Sequence, residues 1–201
     1  MERTAEISRK TKETDIKIKL NLNGSGEIKI NCPIGFLVHM LNTFAKHGLF
    51  DLEVTAFGDL EVDQHHLVED IGIVLGQCFA KALGDKRGIR RAGSCFFPMD
   101  ETLARAVVDI SGRSCFVFDG QLSGIPLVSG TNSFQVDLIE DFWESFALNA
   151  GMTLHLDILK GRSDHHKIEA LFKAAARALR DACEMDPRSV GMIPSTKGML
   201  A

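Results

Sequence analysis

The sequence predicts an α+β fold built by internal duplication of a β-β-β-α-β-α unit, with helices packed on one face of each sheet. Three observations predict it. The same order of strand-like and helix-like segments runs through the chain twice, the pair His65-His66 recurs as His165-His166, and each pair is followed at equal spacing by a glutamate, Glu69 and Glu169. With the pairs superposed, Asp63 falls on Ser163, both suited to cap a helix N-terminus, and Ala82 falls on Ala182. The halves run over residues 1–92 and 93–186 and together make one catalytic domain. Residues 187–201, which hold Pro194-Ser195-Thr196-Lys197-Gly198, form a tail with too little apolar periodicity for another element, a frayed end or a functional loop.

In the first half, Thr4 to Ile7 reads as a strand. Thr14 to Asn21 follows, with Ile16, Ile18 and Leu20 on alternate positions, and then Glu27 to Ile30 after the turn Asn23-Gly24-Ser25-Gly26. These three predict a meander. From Phe36 to Ala45, Phe36, Leu37, Met40, Leu41 and Phe44 recur at helical spacing, and Gly48 stops the helix. Leu49 to Phe57 is a strand closed by Gly58-Asp59, and His65 to Leu83 is a helix ended by Gly84. In the second half, Cys95 to Met99, Leu103 to Ile110 and Ser114 to Phe118 read as strands, the last two joined by the hairpin turn Ser111-Gly112-Arg113. Phe134 to Ala150 is helical, Met152 to Leu159 alternates as a strand, and His165 to about Cys183 is the last helix.

With 201 residues the chain can bury a sizeable core without staples. Its 23 basic and 27 acidic residues give a net charge of -4, so no global positive field draws it to nucleic acid or an anionic membrane. The five cysteines show no CxxC pair and sit mostly among apolar neighbours, the pattern of reduced core thiols. The first residues contain no apolar leader, and no stretch is long and apolar enough to span a membrane. The expectation is a soluble cytoplasmic protein.

On a helix, residues i and i+4 share a face, so His65 with Glu69 and His165 with Glu169 can each clip one metal ion. His66 and His166 stand about 100° further round and cannot complete the clip of their own neighbours. If the two helix starts face each other across a pseudo-twofold axis, each extra histidine completes the other half's clip. The duplication thus predicts a dinuclear centre, within one chain or between chains. Further ligands are sought on the preceding helices, where His39 and Asp141 occupy corresponding places. Imidazole with carboxylate suits manganese, iron, zinc or nickel. His155, alone in an alternating strand, reads as a satisfied core or strand-end histidine, whereas His47, at a helix end close to His39, remains a candidate.

The passages Arg3-Thr4-Ala5-Glu6, Gly35 to Leu41, Asp63 to Asp70, Met99-Asp100-Glu101-Thr102-Leu103, Asp109 to Arg113, Asp164 to Ala170 and Pro194 to Gly198 together resemble the imidazoleglycerol-phosphate dehydratase family. The resemblance covers nearly the whole chain. It implies a duplicated fold of the ribosomal protein S5 domain 2-like kind, two Mn2+ ions per active site, and trimers assembled into a 24-mer with sites between subunits. It also implies a role in histidine biosynthesis: manganese-dependent dehydration of imidazole glycerol phosphate to imidazole acetol phosphate through a metal-bound imidazolate and a diazafulvene. By position, one ion takes His39, His66, His165 and Glu169, and the other takes His65, Glu69, Asp141 and His166. Catalysis falls to Glu13, Glu69 and His47, with Glu13 as general base. Glu13, His39, His47, His65, Glu69, Arg91, Arg113, His165, Lys173, Ser195 and Lys197 contact substrate, with Arg91, Arg113, Lys173, Ser195 and Lys197 around its phosphate. Three positions depart from the family pattern. Asp141 stands where many members have histidine, Gln64 where an aspartate commonly precedes the His-His pair, and Val38 where an aspartate or asparagine commonly precedes His39. The last two remove partners that orient ligand imidazoles.

Overall fold

The computed structural model describes residues 3–129 and 132–200. Its first half contains β1 (Thr4–Lys10), β2 (Thr14–Asn21), β3 (Ile28–Asn31), α1 (Gly35–Gly48), β4 (Asp51–Gly58) and α2 (His65–Leu83). The second contains β5 (Ala92–Met99), β6 (Thr102–Asp109), β7 (Cys115–Asp119), a short hairpin β8 (Leu127–Ser129) and β9 (Asn132–Phe134), α3 (Leu138–Ala150), β10 (Thr153–Lys160) and α4 (Asp164–Cys183).

The duplicated β-β-β-α-β-α order holds, but the first three strands of each half are not a meander. The sheets run β1-β2-β4-β3 and β5-β6-β10-β7. β4 is antiparallel to β2 and parallel to β3, and β10 stands likewise between β6 and β7. The helix between the third and fourth strands supplies the long crossover that a parallel pair requires. Residues 22–27 consequently lead away from β2 instead of folding back on it. They wrap the start of β4, where Asp51 Oδ1 accepts the backbone N–H groups of Ser25 and Glu27 at 2.8 and 3.0 Å. The turn at Arg113 is likewise no hairpin, since β10 separates β6 from β7.

α3 begins at Leu138 and not at Phe134. Phe134 belongs to β9, paired opposite Leu127, and its ring lies 5.0 Å from that of Phe36. Its apolar spacing fits a helical stripe, but the contact that buries it comes from another element.

Alternation on the strands sends Ile16, Ile18, Leu20, Leu52, Val54 and Ala56 inward from the first sheet and Ala104, Ala106, Val108, Leu154 and Leu156 inward from the second. α2 covers the first sheet, α4 covers the second, and the helices pack on one another as α2 on α3 and α1 on α4. The layers are sheet, helices, helices, sheet, and each half supplies one helix to each helix pair. Phe44, Phe79, Trp143 and Phe146 meet at the centre with ring centroids 5.2 to 6.5 Å apart. Burial of each such side chain contributes roughly 1.5–3 kcal/mol. Glycine permits the closest approaches. A Cβ on Gly76 would stand 2.5 Å from the Phe146 carbonyl oxygen, and one on Gly93 would stand 2.1 Å from that of Ala178.

The outer faces differ. That of the first sheet carries a ladder of ion pairs, Lys17–Glu6, Lys19–Glu53 and Lys29–Glu53. That of the second exposes Phe96, Val107 and Val117. His155 also points outward there, opposite Val107 and Val117, so it is an exposed residue and not a core histidine. Cys115 is exposed on the same face, against the expectation of core thiols, whereas Cys78 and Cys183 are buried, each pushed up to about 12 by burial. No described helix is long and apolar enough to cross a membrane.

Candidate metal centre

Both His-His pairs open a helix at the end of a four-stranded sheet. Ser163 Oγ accepts the His166 N–H at 3.5 Å, and Asp63 Oδ1 accepts the His65 N–H at 2.8 Å, so the matched pair Asp63 and Ser163 both serve a helix start. Gln64 does not orient a histidine. Its Nε2 donates to the Ser133 carbonyl at 2.6 Å, and its buried Oε1 has no partner among the described residues.

The first cluster forms where α1 meets α4. His39, His165 and Glu169 present ligand atoms that all lie within 4.8 Å of one another. His39 Nε2 is 3.1 Å and His165 Nε2 3.3 Å from Glu169 Oε2, while Lys173 Nζ holds the other oxygen, Oε1, at 2.8 Å. Burial works to raise the Glu169 carboxyl, but Lys173 and His39 hold it below the ordinary carboxylate value. Two imidazole nitrogens and a carboxylate oxygen aimed at one point form a donor set that fits a divalent transition metal. A cavity of about 470 Å³ lined by Phe36, His39, Phe134 and His165 adjoins it.

The second cluster is its counterpart where α2 meets α3. His65 Nε2 stands 3.7 Å from Glu69 Oε2, and His65 Nδ1 stands 3.5 Å from Asp141 Oδ2. Asp141 thus reaches His65, on the ring nitrogen opposite the one that faces Glu69.

His66 and His166 join neither three-residue cluster. His66 Nδ1 lies 3.2 Å from both oxygens of Asp59, and that carboxylate, foremost, raises the imidazole's pKa above its ordinary value. His166 Nδ1 lies 2.9 Å from Glu101 Oε2. Sequence reasoning assigned no role to Asp59 or Glu101. Asp59 follows a strand and Glu101 sits in a hairpin, and only the tertiary fold brings either to a histidine. Glu13, in the β1–β2 turn, lies beside His66, adds to the negative field there, and makes no side-chain hydrogen bond among the described residues.

His47 ends α1 with its ring edge-on to Phe97 at 5.2 Å, and burial, then the charges of Lys173 and Arg177, lower its pKa. Lys173, expected around a phosphate with the other basic residues, stands apart from them, since its salt bridge to Glu169 keeps it in the first cluster. Arg91, Arg113, Ser195 and Lys197 instead line a separate cavity of about 420 Å³. Arg91 grips Asp109 in a fork at 2.7 and 3.0 Å and donates to the Pro194 carbonyl at 2.8 Å, which ties the tail to the end of β6.

A family model described as imidazoleglycerol-phosphate dehydratase matches residues 32–179. The chain belongs to the imidazoleglycerol-phosphate dehydratase family. It is 54% identical over its full length to the whole of the Acetivibrio thermocellus imidazoleglycerol-phosphate dehydratase. It is 52% identical to that of Acinetobacter baylyi, with 99% of this chain and 96% of the relative covered. Among solved structures, that of the Staphylococcus aureus dehydratase superposes with a TM-score of 0.78 at 39% identity, covering 91% of this chain and 98% of that one. The Pyrococcus furiosus structure, solved in complex with (S)-C348, gives 0.78 at 36% identity, covering 96% and all of that chain. The family is one of hydro-lyases, and the duplicated fold expected from the sequence is the fold of these neighbours.

Proposed function

We propose that this chain dehydrates D-erythro-imidazole glycerol phosphate to imidazole acetol phosphate in histidine biosynthesis, using two manganese ions per site. The observation that carries the reading is the cluster of His39, His165 and Glu169, whose ligand atoms converge, matched at the same place in the other half by His65 with Glu69 and Asp141 on its two ring nitrogens. Manganese, when bound, supplies Lewis-acid withdrawal of electrons from the substrate's imidazole ring. Glu13 is the general base that takes the proton from the carbon next to the ring-bearing carbon, and its lack of a competing partner leaves both oxygens free for the task. Glu69 and His47 complete the reacting end. Arg91, Arg113, Ser195 and Lys197 bind the phosphate, with Lys173 joining them from another copy of the chain.

The site forms between copies of this chain, in trimers that build a 24-mer. Three features support this. The first cluster has three donors and needs a fourth, the second gathers its carboxylates around His65 alone, and His66 and His166 turn away from the clusters of their own chain, available to a neighbour. The phosphate cavity lies at the Asp109 end of β6 and the His166 partner Glu101 at the Thr102 end; the seven steps along this eight-residue strand, at about 3.3 Å each, separate them by roughly 23 Å. That is far more than the few carbon–carbon bonds between the imidazole and phosphate of one substrate. Finally, the apolar outer face of the second sheet suits burial against another copy.

Incubation of the purified protein with manganese and imidazole glycerol phosphate tests the reaction. The expected product is the ketone with its phosphate ester intact; release of inorganic phosphate without ketone would mark a dinuclear phosphatase and overturn the assignment.

A further inference from the structure

The Met99-Asp100-Glu101 passage between β5 and β6 lies outside the proposed chemistry, yet it is built around His166. Glu101 uses both carboxylate oxygens. Oε2 meets His166 Nδ1 at 2.9 Å, and Oε1 accepts the backbone N–H groups of Ser163 and Arg162 at 3.2 and 3.4 Å, just before α4.

The internal symmetry gives the contact its meaning. Ile16 lies opposite Ala56 in the first sheet and Ala104 opposite Ile158 in the second, so Thr14 corresponds to Thr102 and Glu13 to Glu101. β10 carries one extra residue between Ile158 and Lys160, so Asp59, which follows β4, corresponds to Arg162, which follows β10. In the first half Asp59 holds His66 and Glu13 is unengaged; in the second, where arginine stands in place of that aspartate, Glu101 holds the histidine. Two non-equivalent residues therefore place a carboxylate on Nδ1 of the two equivalent histidines.

We propose that Glu101 is a positioning residue: it accepts the Nδ1–H of His166, fixing the tautomer whose Nε2 lone pair points outward as a donor to a divalent cation. Asp59 does the same for His66, and that substitution of partner leaves Glu13 free. The inference rests on the metal-dependent reading above. The neutral imidazole exists as two tautomers, and a carboxylate at Nδ1 selects the one that can ligate through Nε2 while also raising its basicity.

The test uses metal-free, ¹⁵N-histidine-labelled full-length protein in mildly alkaline solution, with ring tautomers read from long-range ¹H–¹⁵N correlations, followed by manganese titration. His166 is expected as the Nδ1–H tautomer in the wild type and as an Nε2–H-dominated mixture in E101A. E101A should bind one of its two manganese equivalents about 10- to 100-fold more weakly. E101Q, which keeps one oxygen for the Ser163 loop, should fold normally and weaken the same equivalent. D100A should bind both ions as the wild type does. An Nε2–H His166 in the wild type, or unchanged manganese affinity in folded E101A and E101Q, would overturn the proposal. Equal loss of an ion in D100A and E101A would overturn it too, by making Asp100, Glu101 and His166 a metal site in their own right. A wild type that binds no divalent ion would defeat the metal reading itself, a result distinct from all of these.

Discussion

Gly72 of α2 lies directly against the backbone of α3: a Cβ at this position would stand 2.5 Å from the carbonyl oxygen of Phe142. The contact brings Asp141, the residue before Phe142, beside His65 at the start of α2. Close packing of two helices is thus what builds the second cluster. Gly72→Ala should force the pair apart, lower stability by about 1–3 kcal/mol as overpacking does, and weaken the His65 cluster's hold on manganese more than the His39 cluster's. Urea denaturation and manganese titration measure the two effects.

The two clusters are separable. His65→Ala and His165→Ala should each abolish turnover and bring the metal content down from two ions per chain to one. Both histidines are half-exposed, so the folded protein should survive, with stability changed by about 0.5 kcal/mol or less. Near-normal turnover in either variant would count heavily against a shared centre.

At the cavity of Arg113, Ser195 and Lys197, the prediction concerns substrate and not metal. Lys197→Ala should raise KM about tenfold, as loss of a screened, exposed phosphate contact does, with manganese content unchanged. A loss of metal at normal KM would remove Lys197 from the phosphate site.

Asp51 gives a pH dependence away from the centre. Burial works to raise its carboxyl, but the N–H groups of Glu27 and Ser25 and the Asn21 amide hold it below the ordinary value of 3.8. A carboxyl lowered by folding contributes stability above its unfolded pKa and loses it as pH falls through the folded one. Asp51→Ala should therefore cost about 2 kcal/mol at neutral pH, and the gap from wild type should close below pH 3.8. Urea denaturation across this range checks it.

The duplicated unit was legible because its signal is local: apolar spacing sets each helix and strand, and the His-His-x-x-Glu pattern repeats in one chain. The order of strands was not, since nothing in the Glu27 to Ile30 segment says that β4 will insert beside it. The same division holds in the site. His65 with Glu69 and His165 with Glu169 share a helix face, so their clips follow from helical geometry. Asp59 with His66 and Glu101 with His166 join residues on different elements, and only the fold supplies those contacts. Lys173 with Glu169 is another pair that helical spacing makes legible, since the two stand four residues apart on α4.

The central claim is that two metal ions, one per cluster, drive a dehydration. Its most direct test is a titration of metal-stripped protein with manganese while the ketone product is followed. Activity should be absent without metal and reach its plateau at two equivalents per chain; full turnover in the stripped protein, or a plateau at one equivalent, would contradict it.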